Sequence, residues 1–377
     1  MHGGRSGNGR VRCLSGVLGL GLAATVALAG CGAATSTPYS TTAPTSSASS
    51  HGRGKTKAAS TAAKPNVVIG YENAPDPEMV AIAQHDFAKY MHAHVTMKYY
   101  SSGPAALASL ASGSLQFMTV LGNPPVVTAI AHGVPLEVVW AMEQYTKAEG
   151  LVVRKGHHFT SLKSLEGHHV ALVQGSTSPF VLSAALKAAG VPASKVTFTN
   201  MTPPEMVAAW KRKSINAAYV WVPFFSTMVS SGGKALMYDQ NQATTAPIFN
   251  LAVANRSFAT KHPHITEGFI KAEAAGYASY KAHPNAAYKA MGKLNQISAT
   301  EAKSQASGLR FISLKGELGS SGMGTTSTVG SSLVTKSLMS AAAWLKSVGA
   351  IRKVPANLSS YVNPSFAQKV EKAGFKG

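Results

Sequence analysis

From about residue 66 onward, short apolar runs alternate with segments whose apolar residues recur at helical spacing. Asn66 to Tyr71, Val95 to Tyr100, Leu115 to Val120 and Leu136 to Met142 read as strands. Between them, Met79, Ile82, Ala83, Phe87, Tyr90 and Met91 mark one helix face. Ser102 caps a shorter helix ending near Gly113, and Gly122-Asn123-Pro124-Pro125 turns into a third. A second unit of the same kind follows. Its strands are Gly150 to Arg154, His168 to Val173, Val196 to Asn200 and Ala217 to Val222. Its helices run from Pro179 to Ala189 and from Pro203 to about Lys213. The second of these opens on the capping box Thr202-Pro203-Pro204-Glu205. Such alternation confines the chain to an α/β fold with parallel-type sheets and helices on their faces. After an extended run, Phe249 to Ala254, the pattern is mainly helical: Pro263 to Lys281, Asn285 to Leu294 and Ser331 to Val348. An economical packing inserts the second unit into the first. Residues 65–147 and 251–377 then form one lobe and 148–250 the other. Crossovers are expected near Tyr145–Glu149 and Thr245–Asn250, and a cleft between two lobes suits a small ligand.

The N-terminal part reads differently. Arg5, Arg10 and Arg12 precede an apolar stretch, Leu14 to Ala29, that stops at Leu28-Ala29-Gly30-Cys31. This is the pattern of a secretory signal (residues 1–30), with a lipobox whose cysteine, Cys31, carries the lipid. Residues 31–64 are almost all Ala, Ser, Thr, Pro and Gly with a few Lys and Arg, and read as a disordered tether. Cys13 and Cys31 are the only cysteines. The mature domain is therefore expected to lack thiol catalysis, a disulfide and a Cys-ligated metal.

The formal net charge is +20, with 15 acidic residues in the whole chain. The cations are scattered singly, without basic blocks interleaved with aromatics, which speaks against nucleic acid as a partner. A basic surface suits anionic head groups or wall polymers. It equally suits an acidic medium, where surface carboxylates lose their charge.

No catalytic set stands out: there is no H-E-x-x-H, G-x-S-x-G, Walker loop or G-x-G-x-x-G. His157-His158 and His168-His169 are adjacent pairs near strand ends. Neighbours on a strand face opposite ways, so neither pair is expected to chelate a metal. A non-enzyme without cofactor is expected. The strongest local feature is Val173-Gln174-Gly175-Ser176-Thr177-Ser178-Pro179, a strand running into a hydroxyl-rich turn and a helix. It presents either an anion site at a helix N-terminus or an ordinary helix cap. Gly122-Asn123 occupies the same position in the first unit. Glu72 and Asn73 follow the first strand, where open α/β sheets face their ligands. Trp221 ends an apolar strand and walls a pocket or fills core. Glu149 stands at the proposed crossover, placed for an ammonium group or for a pair with Lys147 or Arg154.

Several stretches, in order, resemble the taurine- and sulfonate-binding proteins of ABC importers, relatives of nitrate- and alkanesulfonate-binding proteins. They are Leu110-Ala111-Ser112-Gly113, Gly133-Val134-Pro135-Leu136-Glu137-Val138, Glu149-Gly150-Leu151-Val152-Val153, Pro203-Pro204-Glu205, Ala208-Ala209-Trp210, Ala218-Tyr219-Val220-Trp221-Val222-Pro223 and Lys261-His262-Pro263. The resemblance implies an α/β, two-lobe periplasmic-binding-protein fold of type II character, with the ligand cleft between lobes. It implies a monomeric extracytoplasmic receptor that hands its ligand to a membrane permease and ATPase. It places a sulfonate near Ser176, Thr177 and the turn at Asn123, and an amine near Glu149, Trp221 and Asn250; Ser178 is a further candidate hydroxyl of the same turn. At Asn250 the taurine-binding pattern has an aspartate, so the tail of the ligand is open. Nitrate, an aromatic sulfonate, a pyrimidine precursor of thiamine, or a role as a surface sensor are the alternatives.

Overall fold

The computed structural model describes residues 64–376. The leader, Cys31 and nearly all of the tether lie outside the described residues. The first lobe begins with β1 (Asn66–Tyr71), α1 (Pro77–Ala83), α2 (Asp86–Met91), β2 (His94–Tyr99), α3 (Gly103–Ala111), β3 (Phe117–Gly122), α4 (Asn123–Ala131) and β4 (Leu136–Tyr145). The second holds β5 (Glu149–Arg154), β6 (His169–Leu172), α5 (Thr177–Ala188), β7 (Thr197–Asn200), α6 (Pro203–Lys211), β8 (Ala217–Trp221), α7 (Phe224–Ser230) and β9 (Gly233–Tyr238). The chain then returns through β10 (Phe249–Asn255), α8 (Arg256–Lys261), α9 (Pro263–Ala282), α10 (Pro284–Asn295), α11 (Ala299–Ala306), β11 (Leu309–Phe311), α12 (Leu314–Glu317), α13 (Leu333–Ser347) and α14 (Ser365–Lys372).

Two sheets result, ordered β11-β4-β10-β3-β1-β2 and β7-β6-β8-β5-β9. The βα units pair in parallel: β1 with β2 and β3, β6 with β7 and β8. The sheets are mixed, however, rather than wholly parallel. β10 runs antiparallel to β3 and β4, and β5 antiparallel to β8 and β9. These are the strands at which the chain passes between lobes. β4 passes to β5 over three residues and β9 to β10 without an intervening α-helix, each connection leaving one sheet for the other.

β3 is buried along its whole length, as expected of a strand covered on both faces. The helix expected over 79–91 is two helices, because His85 adopts a left-handed conformation (φ 58°) between them. The capping box at α6 forms as read: Glu205 Oε2 accepts from the Thr202 N–H at 2.8 Å. Beneath the first sheet, Phe269 of α9 stacks on Phe117 of β3 at 4.5 Å between ring centroids and touches Phe87 of α2 at 5.4 Å. The approach of α9 to α2 requires Gly268, where a Cβ would stand 2.4 Å from the Tyr90 carbonyl oxygen. Among the described residues no helix is long and apolar enough to cross a membrane.

Candidate functional site

Three strand-to-helix turns converge on the cleft between the lobes. Gly103 and Pro104 begin α3, Gly122 precedes α4 and Pro125 lies in its first turn, and Ser176 and Thr177 begin α5. Together with Glu72, Val120, Tyr145, Trp221 and Asn250 they line a cavity of about 20 Å³. That is room for roughly one water molecule. The lobes meet closely here: a Cβ on Gly122 would stand 2.6 Å from the Thr177 methyl carbon. Helix N-termini carry orphan N–H groups and a partial positive charge. None of the lining residues is Lys, Arg or His.

Strand register accounts for several of these neighbours. In the second sheet Glu149 stands opposite Trp221. In the first, Asn250 stands between Gly122 of β3 and Glu143 of β4. Its amide donates to Glu143 Oε1 at 2.6 Å. Burial, and then the charge of Asp76, push the Glu143 carboxyl well above the usual range, and the Asn250 bond opposes this. An aspartate at 250 would set two carboxyls against each other in a buried place. The amide therefore matches its neighbour on β4 as well as facing the cleft. Val120 has φ 55°, rare for a β-branched residue, beside the register shift between β3 and β10. Such a conformation stores on the order of 1–3 kcal/mol, and outliers of this kind gather at binding sites.

Behind the helix start at Ser176–Ser178 stands a buried carboxyl of the protein's own, Glu149. Thr177 Oγ1 donates to Glu149 at 2.8 and 2.9 Å to its two oxygens, and Ser178 Oγ donates at 2.6 Å. Ser176 caps α5, accepting from the Ser178 N–H at 3.2 Å. The helix-cap reading of this turn holds at Ser176, while the hydroxyls of Thr177 and Ser178 are taken up by Glu149 behind the turn. Asp239 lies against Glu149 and accepts from the Tyr219 hydroxyl at 2.7 Å. Burial raises both carboxyls. Hydrogen bonds to Glu149 pull it back down, while its charge lifts Asp239 further.

Of the residues singled out from sequence, Glu72, Ser176, Thr177, Trp221 and Asn250 line the cavity. Glu149 and Ser178 stand directly behind Thr177, fully buried. Asn123 is turned away. Its amide donates to the carbonyls of Pro247 and Ser337 at 3.1 and 3.2 Å, bracing the second crossover against α13. Asn73 is half-buried and outside the lining. Sequence reading did not single out Gly103, Pro104, Tyr145 or Asp239. The signal for the first two was present: Ser102-Gly103-Pro104 is another strand-turn-helix junction. Ser102 itself makes no side-chain cap bond, although it is buried. Nothing in sequence joins Asp239 to Glu149. The histidine pairs lie at the surface, and among the described residues no cluster of His, Cys, Asp or Glu could hold a metal ion.

Comparison with known proteins agrees with this architecture. The profile of the family described as NMT1/THI5 like matches residues 78–287. The taurine-binding periplasmic protein of Escherichia coli is 30% identical over 309 residues, covering 80% of this chain and 93% of that protein. The alkanesulfonate-binding protein SsuA from Xanthomonas axonopodis pv. citri, bound to MOPS, superposes with a TM-score of 0.65 at 18% identity, over 80% of this chain and 99% of that one. The periplasmic aliphatic sulphonate binding protein SsuA from Escherichia coli gives 0.63 at 20% identity, over 78% and 90%. These two structures share the fold.

Proposed function

The chain belongs to the NMT1/THI5-like family, and from that membership and its cleft we propose that it is the substrate-binding component of an ABC importer for a small organic sulfonate such as taurine. The observation that carries this reading is the convergence of three helix N-termini, from both lobes, on one buried cavity. The sulfonate oxygens take N–H groups at the starts of α3 and α5 and the turn before α4, with Ser102 and Ser176 beside them. The tail points toward Trp221, Asn250 and the carboxyl of Glu149. A sulfonate with a two-carbon tail is several times larger than a water, so the lobes part to admit it and close around a wider gap. Binding without bond breaking suffices, and a monomer does the work. Residues 1–30 direct export, the lipid on Cys31 anchors the protein, and residues 31–64 tether it on the outer face of the cytoplasmic membrane. There it delivers the ligand to a permease and its ATPase.

Calorimetry on the protein with taurine, ethanesulfonate, sulfate and nitrate tests the reading. A sulfonate is expected to bind at about micromolar Kd or tighter, near −8 kcal/mol, and sulfate and nitrate much more weakly. Binding of nitrate or sulfate in preference to both sulfonates, or of none of the four, refutes it. One observation favours a second reading. The cleft sets Glu72 and Glu149 near the rings of Tyr145 and Trp221, which also suits an aminopyrimidine such as a thiamine precursor.

A further inference from the structure

One carboxyl lining the cleft has no hydrogen-bond partner among the described residues. Glu72, at the end of β1, is 4% exposed and lines the cavity. Among the described residues nothing hydrogen-bonds to its carboxyl, whereas Glu149 has two hydroxyl donors, Asp239 has Tyr219 and Glu143 has Asn250. The groups around it offer no positive charge. α3 approaches with Gly103, whose Cβ position is 3.5 Å from Glu72 Oε1. Tyr99 at the end of β2, Tyr145 of β4 and Glu149 of β5 face it. Asn250 of β10, Trp221 of β8 and Ser176 and Thr177 of α5 complete the wall.

We propose that Glu72 selects ligands by charge: ionised, it holds the ammonium group of an amino-sulfonate, and protonated, it admits sulfonates without an amine, so that the preference of the cleft between the two classes changes with pH. This rests on the sulfonate reading above. The Glu72 oxygens open onto the narrow cavity rather than into packed protein, and a carboxylate there with no donor or cation from the protein is costly. Burial, and then the charge of Glu149, push the Glu72 carboxyl well above the usual carboxylate range. A zwitterion such as taurine brings the missing cation, so it binds with Glu72 ionised and displaces any proton there. A plain sulfonate adds a second negative charge to the same cavity. It binds only with Glu72 neutral and therefore takes up a proton as pH rises.

The experiment is calorimetry on the protein with taurine and with isethionate, its hydroxyl analogue, at about pH 5 and pH 8, for wild type and Glu72→Gln. In wild type, the isethionate Kd should rise from the lower to the higher pH, while that of taurine holds or falls. Glu72→Gln should abolish the isethionate pH dependence. It should weaken taurine roughly ten- to hundredfold at the higher pH, the worth of a charge-assisted bond. A taurine-to-isethionate affinity ratio that ignores pH, or that Glu72→Gln leaves unchanged, overturns the role of Glu72 and spares the sulfonate reading. Failure of both ligands to bind at either pH overturns both.

Discussion

Asp76→Asn is expected to stabilise the protein above neutral pH and to leave it nearly unchanged in acid. Asp76 caps α1, accepting from the Met79 N–H at 3.3 Å, yet it is fully buried and its second oxygen has no partner. Around it lie Glu78, Glu143 and Glu273, also buried, and among the described residues no ion pair reaches any of the four. Burial pushes the Asp76 carboxyl from 3.8 up to about 7, against the backbone bonds of the α1 N-terminus that lower it. The folded state therefore holds this proton more tightly than the unfolded chain. The contribution is fully present below about pH 4 and is lost as pH rises through 7. A displacement of about three units, at roughly 1.4 kcal/mol each, is on the order of 4 kcal/mol. Asparagine keeps the capping oxygen and removes the charge. Urea denaturation of variant and wild type, compared at each pH, cancels the titration of the surface. The variant should lie within about 1 kcal/mol of wild type at pH 4 and about 2–4 kcal/mol above it at pH 8. A variant less stable than wild type at pH 8, or a difference that does not change with pH, would refute the reasoning.

The same logic predicts that Asn250→Asp, which sets a carboxyl where an amide now donates to Glu143, costs on the order of 3 kcal/mol at pH 8. Most of that is regained near pH 4, where both groups are protonated, and thermal unfolding at the two pH values reads it. Gly268→Ala should lower the urea midpoint by the equivalent of about 1–3 kcal/mol or more. Its Cβ meets the Tyr90 carbonyl, and no pH dependence is expected.

These predictions share a cause. Of fifteen acidic residues ten are buried: Glu72, Asp76, Glu78, Asp86, Glu137, Glu143, Glu149, Asp239, Glu273 and Glu317. The surface is thus almost wholly cationic, and acid removes few charges from it. The interior carboxyls meanwhile favour protonation.

Much of the fold was legible. Strands such as Asn66–Tyr71 and Ala217–Trp221, and helices such as Pro263–Ala282, follow from apolar spacing and capping residues. β9, α8, α11, β11, α12 and α14 were missed. Gly233–Tyr238 alternates weakly, and the capping box Ser298–Glu301 opens a short helix with few apolar residues. The site was half legible. Strand ends that precede helices drew attention to Glu72, Ser176, Thr177 and Trp221. Asn123 occupies the same kind of position, yet its side chain braces a crossover instead.

The sequence alone determined the α/β alternation, the strand-turn-helix junctions and the scarcity of acidic residues, because these are local patterns or counts. Only the tertiary structure decided which carboxyl meets which donor. Glu149 finds Thr177 and Ser178, Asn250 finds Glu143, and Glu72 finds none among the described residues. The physical reason is that these neighbours lie 28, 29 and 107 residues apart along the chain. They are brought together by strand register and by closure of two lobes, and the charge state of each carboxyl depends on that company.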